Sequence, residues 1–559
     1  MSLPNEPITR REMYLANIAG QNVEIPDEPI TREEMYLDYI ARTGGGEASA
    51  TRESIAPTEN SSAASKTYYK GDEFYLEDDK LYTATTTISQ GTAIVTSGTG
   101  QNCEVSDSVT GQIKTGFTEV ASDIADIKSY IGYEGTPIVG VQVNFEAKTF
   151  TRLGLAAGLH GGDDFDTFHA FGGRRRCTVA DNGTINHYYG DTGYTEDGSD
   201  GQVMVYQPKF YYKRQILKKT AQTGNGKGYN IRKANWFVSD TPAVGFKVHP
   251  AFLDENGKEV DYILIGAYEG SLYDVSASTY ITDDSQVMDN TADKFCSIAG
   301  AKPASGLTQD LTRPKIEQMC QNRGSRWHEQ NVQTFSVTQL LYLIEYGDFD
   351  IQRSIGQGVA NITDQSAYNC SANTGSTTSF GNKSGRATST TFNIGGTTTT
   401  ETADGKTSIT YRGEENACLN LWKFIMGMNI YGNGSMNGGE PYICTDYNYA
   451  ESKNDGNYKS VGFRLPAAGN WVSAFGCAAD ESEFDWIFIP GECTDANNAL
   501  PVGDYHWNTA NLNGFRIALV SASWDNGWNG GLFCWYCYGG VGGRNRSVGG
   551  RLAYIPSGA

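Results

Sequence analysis

Ile113, Phe117, Val120, Ile124, Ile127 and Ile131 recur at spacings of 4, 3, 4, 3 and 4 residues. This is an a/d seam kept for nearly three heptads, and a seam of that kind cannot be satisfied by the helix that carries it. Isoleucine at both kinds of seam position, with the bulky Phe117, favours three strands over two. Residues 107–135 therefore read as a coiled-coil stalk that makes the chain a homotrimer. The alternative is an amphipathic helix packed on its own domain.

Ahead of the seam lies an internal repeat. PITRREMYLANIA from Pro7 and PITREEMYLDYIA from Pro29 are identical at ten of thirteen positions. In each copy a threonine (Thr9, Thr31) stands three residues before a glutamate (Glu12, Glu34), the capping box that opens a helix. Two turns are too short to be stable alone, so Met13, Leu15, Ile18, Met35, Leu37 and Ile40 are expected to dock into a partner, residues 1–43 forming duplicated helical pegs. A spare hairpin packed on its own chain is the plainer reading. Residues 44–66 are rich in Gly, Ala, Ser, Thr and Glu and read as a flexible linker. YYKGDEFYLEDDKLYTATTTI from Tyr68 alternates aromatic with polar residues around turn signals, predicting a small aromatic β module over 67–106. It resembles the sheet modules of tail fibres and chitin-binding appendages, in which Tyr69, Tyr75 and Tyr82 could stack on sugars or fill a core.

Composition excludes several classes. A chain of 559 residues is longer than one core supports. A formal charge of −21 opposes phosphate backbones and anionic lipid, so nucleic acid is an unexpected partner. No run of about 18 apolar residues predicts a membrane helix, and MSLPNEPITRREMYL has no signal-peptide core; synthesis in a bacterial cytoplasm is the expectation. Eleven cysteines, an odd number, read as buried thiols and not as a disulfide framework.

From Val139 onwards the composition is continuous. Ser336 with Gln339 predicts a capping box ahead of a buried helix whose inner face carries Val337, Leu340, Leu341 and Ile344. Asn420, Leu421, Trp422 and Phe424 mark a second packed segment. Residues 366–407 read as an inserted loop or a fringe of exposed strands. Gly462–Pro466 and Asn513–Arg516 read as closing strands near a binding face.

The runs VQVNFEAKTFTRLG, FGGRRRCTVADNGTINHYYGD, DGSDGQVMVYQPKFYYK and YRGEENACLNLWKFIMGMNIY resemble the variable tail and adhesin proteins of phages and prophages. That resemblance implies an α+β fold with a C-type-lectin-like body over 136–559, of the same broad fold as formylglycine-generating enzymes. SASWDNGWNGGLFCWYCYGGVGGRNRSVGGRLAY, residues 521–554, resembles the variable region of diversity-generating retroelement targets. In that family error-prone copying replaces adenines in AAY codons, which can yield most amino acids and never Trp, Lys, Glu, Gln or Met. Asp525, Asn526, Asn529, Tyr536, Tyr538, Gly539, Gly540, Gly542, Gly543, Asn545 and Ser547 are reachable from AAY and are expected to bind ligand. Trp528 is ambiguous and is kept with them. Trp524, Phe533, Trp535, Arg551 and Leu552 are expected to hold them. Tyr with Gly, Ser and Asn is also the palette of antibody loops.

Enzyme readings are weaker. His160, Asp163, Asp164, Asp166 and His169 are ligand types without a metal-site spacing, and the Glu-Pro-Asn and Trp-Asn-Asp forms of sugar-binding lectins are absent. Cys534 and Cys537 have redox spacing but no second pair. Arg174, Arg175 and Arg176 are expected to pair internally with Asp163, Asp164 or Asp191. The resemblance thus implies a tail-fibre receptor-binding protein of the virion, without a cofactor. Its pegs would meet phage tail or baseplate proteins, and its tip a bacterial surface protein or glycan. The alternatives are a diversified bacterial adhesin and, more remotely, a formylglycine-generating-type oxidase. Light scattering of a fragment ending near Gly135 should give the mass of a trimer; a monomer would contradict the seam.

Overall fold

The computed structural model describes residues 59–70, 72–76, 80–105, 137–224, 226–451, 453–480, 483–494 and 502–558. The peg residues and all six seam residues lie outside this set. Two compact units divide the chain, Met1–Lys128 and Ser129–Ala559.

In the first unit, strands Glu73–Tyr75, Leu81–Ala84 and Cys103–Val105 form an antiparallel three-stranded sheet. Tyr68, Phe74, Leu76, Tyr82, Ile88, Ile94 and Cys103 fill its core. Tyr75 and Tyr82 are buried, so of the three expected stacking tyrosines only Tyr69, 65% exposed, faces solvent. The linker boundary expected at 66 also moves. Buried Glu59 accepts hydrogen bonds from the Ser65 amide at 2.7 Å and from the Tyr68 hydroxyl, which draws 59–66 into the module.

The second unit is β-rich. Its main elements, in chain order, are β1 (Ile138–Asn144), β2 (Arg175–Val179), β3 (Gln202–Pro208), β4 (Tyr211–Ala221), β5 (Tyr229–Ser239), β6 (Tyr262–Gly266), α1 (Arg313–Gln321), β7 (Trp327–Glu329), α2 (Val332–Tyr346), β8 (Trp422–Asn433), β9 (Glu440–Cys444), β10 (Asn470–Cys477), β11 (Tyr505–Trp507), β12 (Asn513–Ser521), β13 (Trp535–Gly539), β14 (Val548–Gly549) and β15 (Leu552–Tyr554). A 14-stranded sheet carries the order β4–β5–β10–β11–β13–β12–β8–β9, with β1 against β5 and β14 parallel to β8. A six-stranded sheet runs β7–β15–β6–β3–β2 and ends on Ile185–Tyr188.

Helix α2 packs on β1, β5 and β8, and residues 332–345 are all buried. Its start differs from the expected one. Asn331 is the N-cap, accepting from the Thr334 amide at 2.8 Å while Thr334 Oγ1 accepts from the Asn331 amide. Ser336 and Gln339 lie inside the helix: Ser336 Oγ donates back to the Gln333 carbonyl at 2.7 Å, and Gln339 Nε2 donates to the Leu532 carbonyl at 2.7 Å. The cap thus lies five residues ahead of the expected one, and the additional turn is buried as well. Gly347, in the left-handed conformation at φ 62°, ends the helix.

Two other expectations change. Gly462–Pro466 is irregular, with Phe463 and Leu465 buried, whereas Asn513–Arg516 does open a strand, β12. The 366–407 segment is no free fringe. Its hairpin, Thr390–Ile394 with Thr397–Glu401, exposes Thr397–Thr400, but Cys370, Ala372 and Phe392 close a satellite core with Val359, Ile362, Leu421 and Trp524.

His506 of β11 is fully buried, and burial pushes its pKa down to about 3. Its contribution to stability is complete above the unfolded value of about 6.5 and is lost as pH falls towards the folded value. Wild-type protein should therefore lose more of its thermal midpoint between pH 7 and pH 5 than His506→Phe does; equal losses would contradict this.

Candidate functional site

The terminal segment joins the two sheets. β12 ends at Ser521, held at φ 86°. The chain then crosses a loop and a 3-10 turn, Gly527–Asn529, and returns as β13 between β12, antiparallel, and β11, parallel. A second loop, 540–547, leads to β14 beside β8, after which β15 enters the six-stranded sheet between β6 and β7.

Four residues expected to hold the segment are buried: Trp524, Phe533, Trp535 and Arg551. Phe533 meets the rings of Phe349, Phe475 and Phe488 at 4.8–5.8 Å, and its amide donates to Asp504 Oδ2 at 2.7 Å. Burial pushes the Asp504 carboxyl well above the usual carboxylate range. The Trp535 indole donates to the Phe488 carbonyl at 3.0 Å, and the Trp524 indole to Asp364 at 3.3 Å. Arg551 is bound on three carbonyls, those of Gly266 (2.6 Å), Glu415 (2.6 Å) and Asn416 (2.8 Å). Preceding it, Gly550 has no room for a side chain: a Cβ would stand 2.5 Å from Glu329 Oε1. Leu552 is also buried.

The residues reachable by adenine replacement stand differently. Asp525, Tyr538, Gly540, Gly542, Gly543 and Asn545 are exposed; Asn526, Asn529, Tyr536, Gly539 and Ser547 are half-buried; Trp528 is 45% exposed. Open space surrounds two of the glycines. A Cβ on Gly540 or Gly542 would meet nothing within 4 Å, whereas one on Gly543 would stand 2.8 Å from the Gly540 carbonyl oxygen, to which the Gly543 amide donates. Asn526 also braces its own loop, accepting from the Ser523 amide at 2.8 Å. The 540–547 loop is tied down by Arg544 to Asp310 and by Arg546 to Asp364 at 2.6 Å.

Two neighbours of this face were not evident in the sequence. The segment just ahead of the insertion, residues 360–364, forms one side: the Ile362 amide donates to the Trp524 carbonyl at 2.8 Å, the Gly527 amide to the Ala360 carbonyl at 3.0 Å, and Asp364 receives both Trp524 and Arg546. On the other side runs a line of rings. Trp471–Tyr505, Tyr505–Trp507, Trp507–Trp422, Trp422–Tyr536 and Tyr536–Tyr538 have centroids 5.0, 4.4, 5.1, 5.9 and 4.3 Å apart. The alternation Tyr505-His506-Trp507 carried a signal for it: on β11 the two aromatics are half-buried and the histidine is buried.

The other constellations are structural. Arg174 pairs with Glu414, and Arg176 with Glu196 at 3.1 Å, while Arg175 lies 3.8 Å above the Tyr188 ring. The pairing is internal, but not with Asp163, Asp164 or Asp191: Arg174 and Arg176 are buried and meet Glu414 and Glu196, while Arg175 is exposed. Asp164 caps the His160 amide at 2.8 Å on the surface, and Asp240 accepts from the His169 amide at 2.7 Å. Among the described residues no group of three or more His, Cys, Asp or Glu could hold a metal ion. All eleven cysteines are free thiols, ten of them buried. Burial pushes Cys534 and Cys537 well up, away from the thiolate that redox chemistry needs. No helix among the described residues is long and apolar enough to cross a membrane.

Gly542→Tyr should leave the thermal midpoint unchanged, whereas Asp504→Leu, which orphans the buried Phe533 amide, should cost about 1–3 kcal/mol in denaturant unfolding. Equal effects would contradict the division between loop and core.

No protein-family model and no curated protein matches the chain. Solved structures of the Major Tropism Determinant are similar to it at low identity. The P3c variant aligns at 12% identity and TM-score 0.24 over 89% of this chain and 98% of that one. The U1 variant aligns at 11% and 0.24 over 89% and 98%, and the M1 variant at 11% and 0.23 over 90% and 99%. TM-scores of this size do not establish a shared fold.

Proposed function

We propose that this chain is the receptor-binding protein of a phage tail fibre, trimeric through its stalk and attached to the virion by its helical pegs. Its lectin-like terminal face would grip a bacterial surface molecule with residues open to diversification. The observation that carries the reading is the contrast within 521–554. Ring and guanidinium side chains that fix the backbone are buried, and the residues expected to vary are open or half-open, two glycines among them with free space where a side chain would go. A surface of this kind can change its contacts without changing its core, and three copies on one fibre would turn weak single sites into firm attachment. We read the chain as a binder and not an enzyme, which the raised pKa values of Cys534 and Cys537 support.

The test is to exchange loop residues only. Purified protein carrying Asp525→His, Asn529→Tyr and Asn545→Asp should bind a different set of strains from wild type in flow cytometry across a bacterial panel, with an unchanged melting curve. An unchanged strain profile would overturn the assignment of recognition to this face.

A further inference from the structure

The line of rings beside the diversified loops is mostly outside them. Trp471, Tyr505, Trp507 and Trp422 precede residue 521, and only Tyr536 and Tyr538 belong to the terminal segment. Strand geometry makes the line continuous: β11 and β13 are parallel with Trp507 opposite Tyr536, and β12 sets Leu519 opposite Tyr536. The inward partners His506, Trp535 and Cys537 are buried, so Tyr505, Trp507, Tyr536 and Tyr538 are the outward set of these two strands. None of them is a carboxylate, amine or guanidinium, in a chain whose formal charge is −21. Burial pushes the Tyr536 phenol up, and its Tyr538 neighbour adds to the shift, so the hydroxyl stays neutral.

Size and charge narrow the occupant. Trp422 is nearly covered and the other rings are each about a third exposed or less. At about 200 Å2 per aromatic side chain the strip leaves no more than roughly 400 Å2 open. A stable protein interface takes about 800 Å2 from each partner, so a second copy of this chain or an apolar helix would be held too weakly by this strip. Stacked nucleic acid bases need a cationic groove along their phosphates, and the outward set has no cation. A saccharide matches on all three counts. It is neutral and narrow, and its C–H faces carry the partial positive charge that the negative face of an aromatic ring attracts. The phenol hydroxyls of Tyr505, Tyr536 and Tyr538 place hydrogen-bonding groups along the same line.

We infer that the strip Trp471–Tyr505–Trp507–Trp422, continued by Tyr536 and Tyr538, is a stacking platform for a neutral oligosaccharide, with its first four rings outside the diversified segment. The inference rests on the receptor-binding reading and deepens it: the loops would select among receptors that share a sugar chain lying on the strip.

Full-length protein is titrated with chitohexaose, cellohexaose, maltohexaose and laminarihexaose while tryptophan fluorescence is followed. At least one should shift the emission saturably. Tyr505→Ala and the exposed-ring variant Tyr538→Ala should each weaken that binding at least ten-fold with unchanged circular dichroism and melting. Asp525→His with Asn545→Asp should leave it unchanged while altering strain binding. Three outcomes overturn the inference: no hexasaccharide shifts the emission; a proline-rich decapeptide binds in a Tyr538-dependent way and the sugars do not; or Tyr505→Ala changes the mass in light scattering without changing sugar binding. Loss of the strain response to the loop substitutions, with sugar binding intact, would instead overturn the receptor reading alone.

Discussion

The body is tied together by buried cations that each donate to several main-chain carbonyls at once. Arg412, Asn416, Leu419 and Asn420 all have positive φ, so the chain ahead of β8 turns repeatedly inside the protein. A buried carbonyl without a donor costs about 1–3 kcal/mol. Arg551 takes three of these groups at once, two of them from residues 415 and 416. Lys423 takes the carbonyls of Leu419 and Leu421 at 3.0 Å each while meeting Glu269 at 2.9 Å. Arg313 does the same for Ile425 and Met428, and Lys302 for Ser371 and Asn393 of the insertion. Guanidinium and ammonium suit this role because they carry several donors and no acceptor. Burial pushes the Lys302 amine down to about 8, the sign of a cation held chiefly by dipoles.

Function follows from where these hubs sit. Arg551 lies in the terminal segment itself, three residues before its end at Tyr554, and Lys423 also reaches Ser521 Oγ at its start. Both ends of 521–554 are thus fixed from the core, and the indoles of Trp524 and Trp535 and the ring of Phe533 fix its interior. The loops between them carry little of the fold's energy, so their residues are free to serve recognition. Residues 360–364 and the rings of Trp471, Tyr505, Trp507 and Trp422 lie outside 521–554 and border it.

Much of this face could be read from the sequence. Codon reach set Trp524 and Trp535 apart from their neighbours, while Phe533 and Arg551 were set apart only by the family resemblance; all four are buried, and the residues expected to vary lie at or near the surface. The buried helix was legible from its apolar positions, but its start was not, since Asn331/Thr334 and Ser336/Gln339 both satisfy a capping pattern and only tertiary burial chooses. The partners of Arg174 and Arg176 were hidden because Glu414, in a short strand, and Glu196, in a loop, are brought to them by the tertiary fold, which no local spacing encodes. Tyr75 and Tyr82 show the same limit: alternation marks a strand with two faces, and packing decides which face is wet. The line of rings draws on residues from Trp422 to Tyr538, and the parallel pairing of β11 with β13 sets Trp507 beside Tyr536 within it.

The central claim is that 521–554 separates stability from recognition. Denaturant unfolding of two variants tests it most directly: one with Asp525, Trp528, Asn529, Tyr538 and Asn545 all changed to serine, the other with Arg551→Met. The account predicts that the five-fold loop variant unfolds close to wild type, within the few tenths of a kcal/mol per site usual for surface changes, and that Arg551→Met loses about 3–5 kcal/mol. A loop variant as unstable as Arg551→Met, or an Arg551→Met protein as stable as wild type, would contradict it.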